Sequence, residues 1–455
     1  MAGIGFELRK LLYKDSYLGL VQAYGYAGLI SSGPWVLSIV GVVAIGILSI
    51  GLNTEVKVVT AFLISVTYLI ACSIIFGGWL QLMFTRYVSD RIYAKERELV
   101  LPNLMGALLV TTLSSVVIGL ACWPLFLDTS LAYRLLMLVN LGVLSNLWLL
   151  VVMLSGLRSY NLILGTFIVG YGLSVSTALL LNEYGLEGLL AGFFIGQAMM
   201  MYMMLGLLVR EYPSKILICF HFLSTEKAFY SLAAASVIYN FGIWADKMMF
   251  WFNPATSENV IGPIRSSFAY DPPIFIAYLA IIPGMAAFLL RMEADFVDHY
   301  DAFFTAIQDG ETLSTIKKLK GNIIAAIQSS FLEIFKIQLM TAVTLIYTAT
   351  EILAIFGIST KYSMLFSVYV AAVSIQVILL GIYNVLYYLD KRHIALYLTV
   401  LFAISNVALS GISQHLGPAF FGSGYAAAVI ITTVVGGMVM WSKLKKLEYE
   451  TFMLQ

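Results

Sequence analysis

Charge is what this chain has least of. Of its 455 residues only 11% are Asp, Glu, Lys or Arg, against roughly 25% in an average soluble protein. Twenty-six basic and 25 acidic residues cannot coat a water-soluble fold of this size. A net charge of +1 supplies no basic field for nucleic acid. The three cysteines, Cys72, Cys122 and Cys219, lie in or beside apolar runs without metal or redox spacing. His221, His299, His393 and His415 are far apart and form no metal-binding cluster, so neither metal nor cofactor is expected. No defensible pair of carboxylates and no nucleophile–base signature points to an enzyme.

What is present is apolar. Hydrophobic residues make up 60% of the chain, and they recur in runs of about 20, each long enough to cross the hydrocarbon core of a bilayer. The expected fold is an all-α polytopic membrane protein with twelve transmembrane helices in two six-helix bundles around a central cavity. Six spans fall at 24–50, 58–84, 103–125, 135–154, 162–181 and 186–209. Six more fall at 228–252, 274–290, 337–356, 362–386, 394–412 and 421–440. Charge tests that count. Twenty-one of the 26 basic residues fall on the side holding both chain ends, four (Lys57, Arg134, Arg265 and Lys361) on the other, and Lys247 within a span. Short loops rich in Lys and Arg stay in the cytoplasm, so both ends are expected there, and the first helix is read as retained rather than as a signal peptide.

The organisation expected is an amphipathic segment over 1–23, a bundle over 24–209, a linker over 210–227, a second bundle over 228–441, and a tail over 442–455. Within the second bundle, residues 292–336 form a cytoplasmic insertion. There Phe296, Tyr300, Phe303, Phe304 and Ile307 make an apolar stripe beside Asp295, Asp298, Asp301 and Asp309, an amphipathic helix expected to present an ordinary solvated charged face or else to lie on the membrane surface or a partner. Gly33-Pro34-Trp35 in the first span and Gly242-Ile243-Trp244 in the seventh place a small residue just before an indole in each half, a hint of the repeated bundles common in transporters. Pro34 and Pro283 lie inside spans and are expected to kink them, for Pro34 as a moving or cavity-lining bend or a static one, for Pro283 as a static one.

Ionisable groups inside spans mark a pathway or an ion pair, and few exist. Asp246 and Lys247 are adjacent in the seventh span. Consecutive helical residues diverge by about 100°, so the two are expected not to pair. Lys247 is expected to snorkel to the outer surface, and Asp246 to serve either a pathway or a hydrogen-bonded structural role. Glu351, in the outer part of the ninth span, is the next acid. Arg86, Arg158, Glu293 and Asp295 sit at the cytoplasmic rim as candidates for an entrance. Gln81, Asn140, Asn146, Gln197, Asn240, Gln376, Asn384 and Asn406 either line a wet path or bind helices to one another. No arginine lies in the middle of any span, which argues against a diphosphate gripped at mid-membrane.

The opening stretch Met1-Ala2-Gly3-Ile4-Gly5-Phe6-Glu7-Leu8-Arg9-Lys10-Leu11, with Ala27-Gly28-Leu29-Ile30-Ser31-Ser32-Gly33-Pro34-Trp35, resembles the PelG family. Phe84-Thr85-Arg86-Tyr87-Val88-Ser89-Asp90 and Arg291-Met292-Glu293-Ala294-Asp295-Phe296 fit the same family, and the resemblance runs over essentially the whole chain. It implies an inner-membrane transport component of bacterial Pel exopolysaccharide machinery, within a superfamily of multidrug, oligosaccharidyl-lipid and polysaccharide exporters. It further implies an amino-sugar polymer as substrate, with a cytoplasmic glycosyltransferase and regulatory membrane proteins as partners. The expected function is therefore polysaccharide export across the bacterial cytoplasmic membrane, with Trp35, Asn240, Trp244 and Asp246 lining the path. A cation-coupled exporter of small molecules or lipid-linked oligosaccharides, using Asp246 and Glu351, is one alternative. A non-transporting scaffold for the synthase is another.

Overall fold

The computed structural model describes residues 17–52, 54–155, 160–224 and 229–453, with side-chain surroundings for all of these except 17–23, 26, 29–36, 160, 161, 293, 294 and 453. Helices dominate it. In chain order they are α1 (Tyr17–Gly51), α2 (Val56–Gly77), α3 (Trp79–Tyr93), α4 (Val100–Cys122), α5 (Leu131–Ser155), α6 (Tyr160–Leu180), α7 (Gly185–Glu211) and α8 (Tyr230–Phe252). After a short hairpin come α9 (Asp271–Tyr278), α10 (Ile281–Leu290), α11 (Val297–Gln308), α12 (Leu313–Tyr347), α13 (Ala349–Ile355), α14 (Ser363–Tyr388), α15 (Arg392–Leu416), α16 (Ser423–Lys445) and α17 (Leu447–Met453). Ten helical segments among the described residues are long and apolar enough to cross a membrane. With α1 and α8, which occupy the first and seventh expected spans, they account for all twelve.

The contact pattern divides the chain into two units. One comprises residues 1–33, 245–249 and 269–455, the other 34–244 and 250–268, so α1 and α8 each contribute to both. In the second unit, α6 and α7 approach until small residues touch backbone. A Cβ on Gly192 would lie 2.2 Å from the Ala178 nitrogen, and one on Gly196 would lie 1.9 Å from Ser174 Oγ. Small residues take the place of hydrophobic driving force where lipid is as apolar as the side chains. In the first unit, α15 and α16 do the same through Gly424, whose Cβ would stand 2.4 Å from the Ser410 nitrogen. The sixth span thus seats on the fifth as the twelfth seats on the eleventh.

The second expected span is interrupted at Gly78, where α2 ends and α3 begins. The eighth is interrupted at residues 279–280, between α9 and α10. Pro283 has no amide to bond the Leu279 carbonyl, and Gln338 on α12 donates to the neighbouring Ala280 carbonyl at 3.2 Å. The stretch 253–273 holds a two-stranded antiparallel hairpin, β1 (Glu258–Ile261) and β2 (Ile264–Ser266), an exception to the all-helical expectation.

Residues 292–336 pack within the first unit. The chain passes from α10 through a π-type turn (Arg291–Phe296) into α11, reverses at Gly310, and returns as α12, one continuous helix of 35 residues. The apolar stripe faces the protein: Phe296 and Phe303 are buried, and Phe296 meets Tyr388 edge-on at 5.3 Å. Arg291 ties the turn together, bonding Asp295 at 2.8 Å and Glu333 at 2.6 Å.

The tail is anchored in the same unit. Glu450 on α17 bonds both Lys391 and Lys443 at 2.7 Å, and Lys320 approaches Glu448 at 3.4 Å. Burial alone would push the Glu450 carboxyl up, but the two lysines outweigh it and hold the group below its ordinary value. A depressed acid stabilises above its unfolded pKa, and that contribution is lost as pH falls through the folded value. Glu450→Gln is therefore expected to raise amide hydrogen exchange across 447–453 at neutral pH. The wild-type tail should loosen only below the ordinary carboxylate range.

Candidate functional site

A carboxylate and an ammonium lie buried side by side in the first unit. Asp246 is fully sealed from solvent, and Lys247 is also buried. Contrary to the sequence expectation, they pair: Lys247 Nζ reaches Asp246 Oδ1 at 3.3 Å. Nor does Lys247 snorkel to the surface. Its four-carbon stem is long enough to fold back against the 100° divergence of neighbouring helical positions.

Five helices build the surroundings. The Tyr270 hydroxyl donates to Asp246 Oδ2 at 2.8 Å. The Tyr369 hydroxyl, on α14, donates to the same oxygen. Asn406 on α15 donates to Oδ1 at 3.4 Å and is itself fixed by Ser410, whose hydroxyl donates to its carbonyl at 2.8 Å. Around the ammonium stand three rings, Tyr278 (α9) at 4.9 Å and Tyr369 and Tyr425 (α16) each at 5.3 Å from Nζ to ring centre. Tyr369 and Tyr425 stack face to face at 4.9 Å and 2°. Tyr278 donates to the Tyr425 hydroxyl at 3.1 Å, and Tyr425 donates to Gln376 Oε1 at 2.6 Å, which closes the network. A buried charge is tolerable only when paired and hydrogen-bonded, and here both conditions are met.

Sequence reasoning named Asp246, Lys247, Gln376 and Asn406 but missed Tyr270, Tyr278, Tyr369 and Tyr425. Tyrosines spread over more than 150 positions looked like interfacial belt residues. Their only signal is that each falls near the same end of its span.

The other candidates scatter. Asn240 donates to the Ile74 carbonyl at 3.1 Å, covering the helix interruption at Gly78. Trp244 is half-buried in the second unit, its ring 6.0 Å from that of Trp251, which in turn stacks on Tyr68 at 4.5 Å. Glu351 is exposed in the first turn of α13 and accepts from Thr350 at 3.0 Å, so it shares no site with the sealed Asp246. Arg86 pairs with Asp90 at 3.2 Å and lies 5.5 Å from the Phe229 ring. Asp295 is taken by Arg291. Arg158 and the side chains of Pro34, Trp35 and Glu293 lie outside the described residues. No group of three or more metal-binding side chains occurs among the described residues.

Residues 1–452 match the family model "PelG: Putative exopolysaccharide Exporter (EPS-E)". No match was found among curated proteins. Solved structures share the fold. An outward-facing multidrug resistance MATE family transporter of the MOP superfamily superposes with a TM-score of 0.67 at 14% identity, over 93% of this chain and 96% of that one. A MOP superfamily transporter from Pyrococcus furiosus gives 0.65 at 14% identity, with the same coverages. A Vibrio cholerae MATE transporter mutant gives 0.64 at 14% identity, over 97% of each chain. The fold is that of a multi-pass membrane transporter.

Proposed function

We propose, from the premise that this chain belongs to the PelG exopolysaccharide-exporter family, that it carries a growing amino-sugar polysaccharide across the bacterial cytoplasmic membrane as a cytoplasmic glycosyltransferase makes it. The match over nearly the full chain carries this reading. Aromatic faces suit sugar rings, and half-buried Trp244, backed by the buried Trp251 and by Tyr68, supplies such a face. With Asp246 sealed among tyrosines, the glycan-contacting role falls to Trp244, while the Asp246–Lys247 pair holds five helices in register. The absence of arginine from span centres favours passage of a polymer over flipping of a diphosphate-linked lipid. The excess of basic residues on one side supports a cytoplasmic position for both chain ends and the α11–α12 extension, on the side of the synthase and its regulatory membrane proteins.

Inverted membrane vesicles holding this protein and its glycosyltransferase test the reading. Labelled UDP-amino-sugar is supplied outside, and the product is challenged with a glycosidase that cannot enter. Long, protected, lipid-free polymer is expected, falling several-fold with Trp244→Ala. Protected lipid-linked units would instead mean a flippase. Digestible product, the same with and without this chain, would overturn export and leave a scaffold.

A further inference from the structure

The pocket around the Lys247 ammonium has the parts of a cation receptor. One carboxylate supplies charge, three tyrosine rings supply negative faces within 4.9–5.3 Å, and two hydroxyls, Tyr278 and Tyr369, stand 3.4 Å from Nζ. Aromatic cages of this kind recognise alkylammonium groups, and a carboxylate beside one would equally hold a bare monovalent ion. The cage is filled by the residue adjacent to the carboxylate, whose stem must turn back to do so. Nothing in helical geometry compels that turn, because a lysine at this position could extend to the interface. The three rings and Asn406 come from four separate helices, α9, α14, α16 and α15, so the cage is built by the fold and merely occupied by the side chain.

We infer that the cage formed by Tyr278, Tyr369 and Tyr425 beside Asp246 is a monovalent-cation and alkylammonium site whose resident occupant is the chain's own Lys247 ammonium. The cation that Asp246 requires is thus tethered and not drawn from solution. A sodium ion has no vacancy at this carboxylate while Lys247 is in place, and removing the lysine uncovers a receptor for soluble cations. The inference concerns the site's occupant and stands whichever substrate the protein carries.

Thermal melting of the full-length protein in nanodiscs tests it, with no glycan present. Wild type should melt at the same temperature when NaCl is replaced by magnesium chloride at equal ionic strength. Lys247→Ala should melt several degrees lower and recover saturably with n-propylammonium, which has the three carbons and the ammonium that alanine lacks, and not with 1-propanol. Lys247→Met covers the case in which the alanine variant does not fold. Methionine is one atom shorter than lysine and leaves the ammonium's place empty, so this variant should acquire a sodium-dependent rise in melting temperature. The inference is overturned if wild type shows a saturable sodium response that Asp246→Asn abolishes. It is equally overturned if n-propylammonium does no more than 1-propanol for the alanine variant, or if the methionine variant is as indifferent to sodium as wild type. Because none of these readouts involves polymer, the site can fail while export stands, and the reverse.

Discussion

Asp246→Asn is expected to destabilise the protein by about 3–5 kcal/mol, because it strands the buried Lys247 ammonium without its counter-charge. The three tyrosine faces surround the ammonium with either residue at 246, so they do not make up for the lost counter-charge. Lys247→Met should cost a comparable amount, because the carboxylate then keeps its hydrogen bonds from Tyr270, Tyr369 and Asn406 but loses its counter-charge. The double substitution should be less costly than either single one. A buried pair replaced by neutral groups of similar volume is often near neutral, whereas half a pair is not. Denaturation of the four proteins in one detergent gives the coupling directly. Additive losses would show that the two residues act independently and that their 3.3 Å approach carries no energy.

Gly192→Val should be the second large effect, about 3 kcal/mol or more, read as loss of folded protein in the membrane. Its new side chain would meet the nitrogen and Cα of Ala178 at 2.2 and 2.3 Å. Those are backbone atoms, which cannot rotate aside as the tip of a side chain can. The α6–α7 pair would have to separate along its length. Gly206→Ala on the same α7 is the control. Nothing lies within 4 Å of its Cβ position, and alanine favours a helix by about 0.5–1 kcal/mol, so no loss is expected.

These contacts mark where the sequence could and could not be read. Span positions were legible because hydropathy is a local property. Each of the twelve expected spans coincides with a helix or with two helices meeting at an interruption. The Asp246–Lys247 pairing was not legible, since helical angles describe Cβ directions while a lysine's four methylenes decide where its charge goes. The tyrosine cage was not legible either, because its members lie in α9, α14 and α16 and only the fold collects them. The alternation of Asp and Phe over 295–309 revealed an amphipathic helix but not what its apolar side covers. Tyr388, nearly 100 residues away, is what it covers. The bond from Asn240 to the Ile74 carbonyl at the Gly78 interruption was likewise not legible, because only the fold brings the two together.

The continuous α12 has a consequence of scale. Thirty-five residues at about 1.5 Å each make a rod of roughly 52 Å. The hydrocarbon core is only about 30 Å thick. Some 20 Å must therefore stand clear of it, about the length of the twelve-residue α11 that folds back along it. Two packed helices without a break make a stiff post rather than a loop, and a post is a ruler. A change of one helical turn in both helices would move the turn at Gly310 by about 5 Å along the axis of α12.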